Sequence, residues 1–280
     1  SSSHGAKRAW QAGCLGEAMP TNGPIRGDVR FYAALLLGAG VMGCKKTPPN
    51  GALPGASATT QSAELVAPAL LPARSRTIET VDVMDDRPVL VVPGETARPI
   101  IYLHGMCADA EPDLESWASS VSAYGTIIAL SGDAPCANRP GQRTWSKDAS
   151  LLDRRIAEAI DAVARAKNTK LDASEILLIG ESMGASRAIG LASRFPAKYA
   201  RLVLVGGPET PAQTQLGGAK AIALLAGERE PQDKMQNGAL GLARAGLNAR
   251  FWELTDATHG TYGSDGARTM GEAVAFVSAP

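Results

Sequence analysis

The sequence predicts an α/β fold, with a mostly parallel, twisted sheet of about eight strands and helices on both faces. From residue 76 onward, short runs of β-branched and other apolar residues alternate with longer amphipathic runs, which is the pattern of strands joined by crossover helices. The chain has 280 residues, 45% of them hydrophobic, which is enough for one substantial core. We therefore expect a single folded domain at residues 76–280.

The predicted elements follow in a regular order along this domain. Residues 77–83 and 88–92 are expected to form an opening hairpin. Six further strands are predicted at residues 100–103, 126–130, 176–179, 202–205, 222–225 and 251–254. Helices are predicted at residues 114–123, 150–167, 183–195, 232–245 and 267–277. In the second helix, the apolar residues that recur at helical spacing and should face the sheet are Leu151, Leu152, Ile156, Ile160 and Val163.

An apolar segment near the start of the chain, residues 31–43, predicts export. It is shorter than the roughly 20 residues that a membrane-spanning helix needs. Arg26 and Arg30 precede it and Cys44 ends it, an arrangement that resembles a bacterial lipoprotein signal, in which the cysteine is lipidated. An uncleaved signal anchor or a buried hairpin is the alternative. We expect residues 1–44 to comprise an upstream region and this signal peptide.

The following segment, residues 45–75, is predicted to be a tether. It is rich in alanine, proline, serine and threonine and contains no aromatic residue. Two or three acyl chains on Cys44 would hold the protein stably at a membrane, so we expect a lipid-anchored protein of the bacterial cell envelope. Lys45 after the cysteine favours the outer membrane, with the domain outside the cytoplasm. Release of the intact mature protein without detergent would contradict the anchor.

The charge balance argues against nucleic acid as a partner. Lysine plus arginine equals aspartate plus glutamate at 28 each, so no net positive field gathers phosphates. Residues 38–43 satisfy the dinucleotide-binding pattern G-x-G-x-x-G, but residues 45–49, with two prolines, cannot supply the helix that such a site needs. No spacing of cysteine, histidine and carboxylate residues suggests a metal, and no cofactor is implied.

Residues 180–184, Gly-Glu-Ser-Met-Gly, fit the pattern G-x-S-x-G of a nucleophilic serine. A predicted strand runs directly into this motif and a helix of small residues leaves it. Such a tight strand-to-helix turn strains its middle residue and lifts the hydroxyl above the sheet, so its neighbours must be glycine. The pattern therefore predicts Ser182 as a nucleophile, the alternative being an ordinary glycine-rich turn.

A serine hydroxyl needs a base, and histidine is the usual base near neutral pH. His259 is the only histidine that follows Ser182, and it lies between the last predicted strand and the closing helix. We expect His259 to be that base, although a loop histidine without a role would look the same.

Four motifs, in this order, resemble those of the α/β-hydrolase superfamily over residues 76–280. They are Tyr102-Leu103-His104-Gly105, the Ser182 motif, Gly227 to Glu230, and Thr258-His259-Gly260. The resemblance implies a third member of a catalytic triad in the loop after residues 222–225. Glu230, which follows a glycine by three residues, is the preferred acid, although this family more often has Asp there. Asp233 is the alternative, with Glu209 a weaker one.

The resemblance also implies two backbone donors for an oxyanion. One is the N–H of Met183, and the other should come from the loop after His104 and Gly105. Met106 is preferred there and Cys107 is possible, while His104 itself is expected to be structural. Because only residues 206–219 separate two strands between which these enzymes often carry a cap, we expect no large cap domain.

The sequence therefore predicts a carboxylesterase-like serine hydrolase that forms an acyl-enzyme on Ser182. Its partners would be a small-molecule or polymer ester and, through the anchor, a membrane. Two alternatives are a catalytically silent binding lipoprotein of this fold and an envelope acyltransferase or peptidase using the same residues. The loop at residues 131–146, with Arg139, Arg143 and Trp145, is a candidate substrate wall or, equally, a solvated loop packed on its tryptophan.

The last two cysteines are expected to form a disulfide. An exported protein folds in an oxidising compartment, and Cys107 and Cys136 follow strands that are neighbours in the resembling fold. Both should then lie at the carboxyl edge of the sheet, within bridging distance. Two separate buried thiols are the alternative.

Overall fold

The computed structural model describes residues 77–280. The predicted signal peptide, the lipidation site Cys44 and the tether lie outside the described residues. Within residues 77–280, no helix is both long and apolar enough to cross a bilayer.

The described residues alternate between strands and helices, as expected. The strands are β1 (Glu79–Val81), β2 (Val89–Val92), β3 (Pro99–Leu103), β4 (Thr126–Leu130), β5 (Ala134–Pro135), β6 (Arg143–Thr144), β7 (Leu177–Glu181), β8 (Arg201–Val205), β9 (Ala221–Gly227) and β10 (Ala249–Leu254). The helices are α1 (Glu111–Val121), α2 (Ala149–Ala166), α3 (Met183–Arg194), α4 (Gln213–Leu216), α5 (Asp233–Arg244) and α6 (Gly266–Ser278). Short 3-10 turns occupy Ser122–Tyr124 and Ala173–Glu175.

Eight of these strands form one sheet in the spatial order β1-β2-β4-β3-β7-β8-β9-β10. The opening hairpin is antiparallel and β2 also pairs antiparallel with β4, whereas every later neighbour is parallel. The predicted fold class is therefore confirmed. Because parallel strands all end at the same edge, the loops after β3, β7, β9 and β10 meet there.

Both faces of the sheet are covered. Alternate residues of a strand point to opposite faces, so Ile101 of β3 packs on the side of α2, α3 and α5, while Ile100 packs on the side of α1 and α6. Of the five apolar residues predicted to face the sheet from α2, four are buried and Leu151 is only half-buried. Leu151 lies at the margin of the helix's apolar face.

Three local features differ from the predictions. Helix α1 begins at Glu111, before the predicted residue 114, because Pro112 is tolerated in a first turn and two acidic residues there suit the helix dipole. The predicted loop at residues 131–146 contains the antiparallel pair β5 and β6. The linker between β8 and β9 contains a short helix that was not predicted, the four-residue α4. This linker holds no large cap, in agreement with the prediction.

Candidate active site

Ser182 stands at a strained turn between β7 and α3. Its backbone has φ +50° and ψ −115°, a conformation that side chains rarely adopt. A Cβ on Gly180 would lie 2.4 Å from the carbonyl oxygen of Gly184, and a Cβ on Gly184 would lie 2.0 Å from that of Leu103. Both positions therefore require glycine. The N–H of Ser182 donates to the carbonyl of Val205 at 2.8 Å, which fixes the turn to the neighbouring strand.

The structure brings Ser182, His259 and Glu230 into one hydrogen-bonded chain. His259 Nε2 lies 2.9 Å from Ser182 Oγ, and His259 Nδ1 lies 2.6 Å from Glu230 Oε2. An ionised carboxylate only accepts, so Nδ1 carries the proton and Nε2 is free to accept from the serine hydroxyl. This tautomer is the one that a general base requires.

The position of Glu230 follows from a tight turn at the end of β9. Its N–H donates to the carbonyl of Gly227 at 3.2 Å, and its Oε1 accepts from the N–H of Gly227 at 2.8 Å. The alternatives lie elsewhere, since Asp233 is the first residue of α5 and Glu209 lies in the linker between β8 and β9. Of the three acids, Glu230 is the one bonded to His259.

The fold leaves free the two backbone N–H groups that were predicted as oxyanion donors. Met183 is the first residue of α3, where a helix leaves the N–H without a partner in the helix. The N–H of Cys107 donates to the carbonyl of Arg143 at 3.0 Å and is already occupied. In contrast, the N–H of Met106 has no hydrogen-bond acceptor among residues 77–280. Of the two residues considered at this loop, Met106 is therefore the one left free to donate.

His104 holds this loop in place. Burial lowers its pKa, so the ring is neutral. Nε2 accepts from the N–H of Gly132 at 3.0 Å, which leaves the proton on Nδ1 to donate to the carbonyl of Gly105 at 2.7 Å. Because C=O and N–H point in opposite directions across a trans peptide, this bond turns the N–H of Met106 to the other side. His104 thus has a structural role, as expected.

Ser182 and His259 line an open cleft of about 560 Å³ at the carboxyl edge of the sheet. The other lining residues are Gly105, Met106, Cys107, Ala108, Asp109, Pro112, Asp113, Arg139, Gln142, Glu181 and Gly260. In the part of the chain that the structure describes, no cluster of three or more His, Cys, Asp or Glu side chains could hold a metal ion.

Comparison with known proteins gives matches to solved structures alone. No protein-family model matches the sequence, and no curated protein sequence matches it significantly. TT1662 from Thermus thermophilus is similar at 18% identity and a TM-score of 0.51, covering 74% of this chain and 100% of its own. FphF, a fluorophosphonate-binding serine hydrolase of Staphylococcus aureus, is similar at 13% identity and a TM-score of 0.52, covering 75% of this chain and 100% of its own. The chain has the α/β-hydrolase fold.

An esterase from Rhizomucor miehei is also similar to this chain. Its identity is 13% and its TM-score 0.50, with 73% of this chain and 83% of the esterase covered. At such identities the likeness establishes the fold, and the chemistry has to be argued from the side chains.

The three side chains of the candidate substrate wall have two different environments. Arg143 donates to the carbonyls of Gly132 and Asp133 at 3.0 and 2.6 Å, and Trp145 is buried against His104. Those two side chains are engaged within the protein. Arg139 lines the cleft and is the one of the three that faces the site.

The predicted disulfide is present. Cys107 and Cys136 are joined, with their Cα atoms 5.6 Å apart. The N–H of Cys136 donates to the carbonyl of Gln142 at 3.1 Å, so the bridge connects the loop that carries Met106 to the β5–β6 pair. This loop is therefore fixed from two sides, by the disulfide and by His104.

Removing the bridge is expected to lower the stability of the protein and any hydrolytic activity of the site. The two cysteines are 29 residues apart, a loop for which the chain-entropy model gives about 3 to 4 kcal/mol. A Cys107→Ser/Cys136→Ser variant should unfold at lower urea, and hydrolysis should fall by up to about 100-fold as the Met106 donor loses its position. Non-reducing peptide mapping of the wild type checks the premise. If both cysteines are instead alkylated before any reduction, they are free thiols and the bridge is absent.

Two carboxylates beside Ser182, the buried Glu181 and the half-buried Asp113, did not stand out in the sequence. Burial, together with nearby Asp113, raises the pKa of Glu181 to about 7. Burial likewise raises the pKa of Asp113 to about 6, although the Tyr102 hydroxyl donates to it at 2.5 Å and opposes the rise. Glu181 stood in the sequence only as the variable residue of the serine motif, and Asp113 lay just before the helix predicted at residues 114–123. They come together because Asp113 of α1 accepts a hydrogen bond from Tyr102 of β3, the strand that pairs with β7.

Proposed function

We propose that this α/β-hydrolase is a serine hydrolase that cleaves a carboxylic ester or a related acyl bond. Ser182 is the nucleophile, His259 the general base and Glu230 the acid that orients it. The single observation that carries the proposal is the continuous chain of hydrogen bonds from Glu230 through His259 to a serine held at a strained turn. Strained backbone at a cleft is costly and is typical of functional sites.

Acylation would begin with transfer of a proton from Ser182 Oγ to His259 Nε2. Oγ then bonds to the carbonyl carbon, and the oxygen that becomes negative accepts hydrogen bonds from the N–H groups of Met106 and Met183. The imidazolium gives its proton to the leaving alcohol as the ester bond breaks. Glu230 holds Nδ1–H throughout and stabilises the positive ring.

Deacylation repeats these steps with water as the nucleophile. His259 takes a proton from water, the hydroxide bonds to the acyl carbon, and Ser182 Oγ leaves with the returned proton. The cleft is open and His259 is 54% exposed, so water reaches the acyl-enzyme readily. This accessibility favours a hydrolase over an acyltransferase, which must keep water out.

The open cleft also bears on the substrate. Among residues 77–280, the linker between β8 and β9 carries no large cap, so a small ester or an end of a polymer could reach Ser182. Anchoring at the cell envelope through Cys44 stays a prediction from the sequence and would place such a site near envelope or extracellular esters.

Assays of the full chain on p-nitrophenyl esters of increasing acyl length test this function. We expect a burst of p-nitrophenol equal to the enzyme concentration, followed by steady turnover, because an activated ester acylates the serine faster than water releases the acyl group. Transfer of the acyl group to an added alcohol, or cleavage of a peptide, would favour the acyltransferase or peptidase alternative. Absence of both burst and turnover would favour a catalytically silent binding protein.

A further inference from the structure

The imidazole of His259 lies between two carboxylates, of which Glu230 is one. The other belongs to Glu181, the last residue of β7, whose side chain is only 6% exposed. Glu181 Oε1 lies 3.9 Å from His259 Nε2, the nitrogen that faces Ser182. A Cβ on Gly105 would lie 2.2 Å from Glu181 Oε2, so the absence of a side chain at residue 105 makes room for this carboxylate.

Several titratable groups face Glu181 from the elements packed around it. They are Asp113 of α1, Tyr102 of β3, Tyr262 and His259 from the segment between β10 and α6, and Glu230 after β9. Burial holds the pKa of both tyrosines well above the usual value, so they remain neutral hydroxyls. Among residues 77–280, no lysine or arginine forms an ion pair with Glu181, and its ion-pair partner is His259.

A buried carboxylate in such surroundings is unfavourable for folding. Desolvation penalises its charge, and no fixed cation compensates for that penalty. A glutamine or an apolar side chain of similar size would fill the same space at lower cost. A role that needs the charge is therefore the better explanation for a carboxylate beside the nucleophile.

We propose that Glu181 is a second positioning residue for His259, and that its ionised carboxylate shares the imidazolium with Glu230 during acyl transfer. The inference rests on the proposed function. When Ser182 Oγ gives its proton to Nε2, the positive ring lies between the two negative groups. When Nε2 passes that proton to the leaving group, the ring is neutral again. Glu181 makes and breaks no bond, and its effect is present only while it is ionised.

The test compares wild type with Glu181→Gln in the full chain, between pH 5.5 and 9. The readout is the second-order rate of reaction of Ser182 with an uncharged fluorophosphonate, which requires His259 to take the serine proton. A charge at this distance from a half-exposed ring should change the rate by about 10- to 100-fold. Burial raises the pKa of Glu181 to about 7. The rate constant of wild type divided by that of the variant should therefore be near one at the lowest pH, and it should reach about 10 to 100 above pH 8.

Asp113→Asn is the matched control. The charge of Asp113 raises the pKa of Glu181. Without that charge Glu181 should ionise at lower pH, so the increase in rate that depends on Glu181 should still occur but at lower pH. The Glu181→Gln/Asp113→Asn double variant should behave like Glu181→Gln. A ratio that does not change with pH would show that Glu181 acts only by packing and would overturn the inference.

Unfolding in urea separates this result from a folding defect. The pKa of Glu181 is raised in the folded state, so the group's contribution to stability is present at low pH and lost as the pH rises from its ordinary value of 4.5 through about 7. Glutamine has no such loss, and the variant should be at least as stable as wild type at pH 8. If wild type itself fails to react at any pH, the proposed function fails and the inference with it. If wild type reacts but the ratio stays at one, the inference alone fails.

Discussion

Replacing Ser182 with alanine is expected to reduce ester hydrolysis by about 10⁴- to 10⁶-fold, leaving only the residual rate that the oxyanion donors supply. The hydroxyl at residue 182 is the group bonded to His259 Nε2 at 2.9 Å, and alanine offers no other nucleophile there. The glycines at residues 180 and 184 already accommodate the strained turn, so the variant should fold like wild type. Steady-state hydrolysis of p-nitrophenyl acetate measures the effect.

Ser186→Ala is the control for this substitution. Ser186 also carries a hydroxyl, but it lies one turn into α3, beyond the strained residue. Its replacement should leave hydrolysis within a few fold of wild type. Normal hydrolysis by Ser182→Ala would remove the basis of the proposed mechanism.

Replacing Glu230 with glutamine is expected to lower the catalytic rate by about 10⁴-fold. The amide could hold the ring in the wrong tautomer, and it supplies no charge to stabilise the imidazolium. Comparison of kcat for Glu230→Gln and Asp233→Asn decides between the two acids that the sequence left open. Asp233 begins α5, so its replacement should cost only the small stabilisation of a charge at a helix N-terminus. A larger loss of activity from Asp233→Asn would contradict the assignment of Glu230.

The main features of this site could be predicted because short stretches of sequence determine them. The turn around Ser182 requires glycine at residues 180 and 184 for reasons that act within a few residues, and the tight turn from Gly227 places Glu230 at a set distance from β9. The remaining features follow from strand order, because the loops after parallel strands all lie at the same edge of the sheet.

Other features depend on contacts that no local pattern specifies. Met106 rather than Cys107 is free to donate because the N–H of Cys107 is taken by the carbonyl of Arg143, which belongs to the unpredicted strand β6. Glu181 and Asp113 are far apart in the sequence, and they interact because Asp113 is bonded to Tyr102 of β3, the strand beside β7. Strands of two residues, such as β5 and β6, are too short to show a periodicity.

Peptide mapping by mass spectrometry after reaction with a fluorophosphonate identifies the nucleophile. We expect one adduct per chain, located at Ser182, and none in the Ser182→Ala variant. The reagent phosphonylates an activated serine and mimics the tetrahedral intermediate, so its attachment reports both the nucleophile and the base that activates it. An adduct at Ser186, or no adduct on a folded protein, would contradict the assignment of Ser182 as the nucleophile.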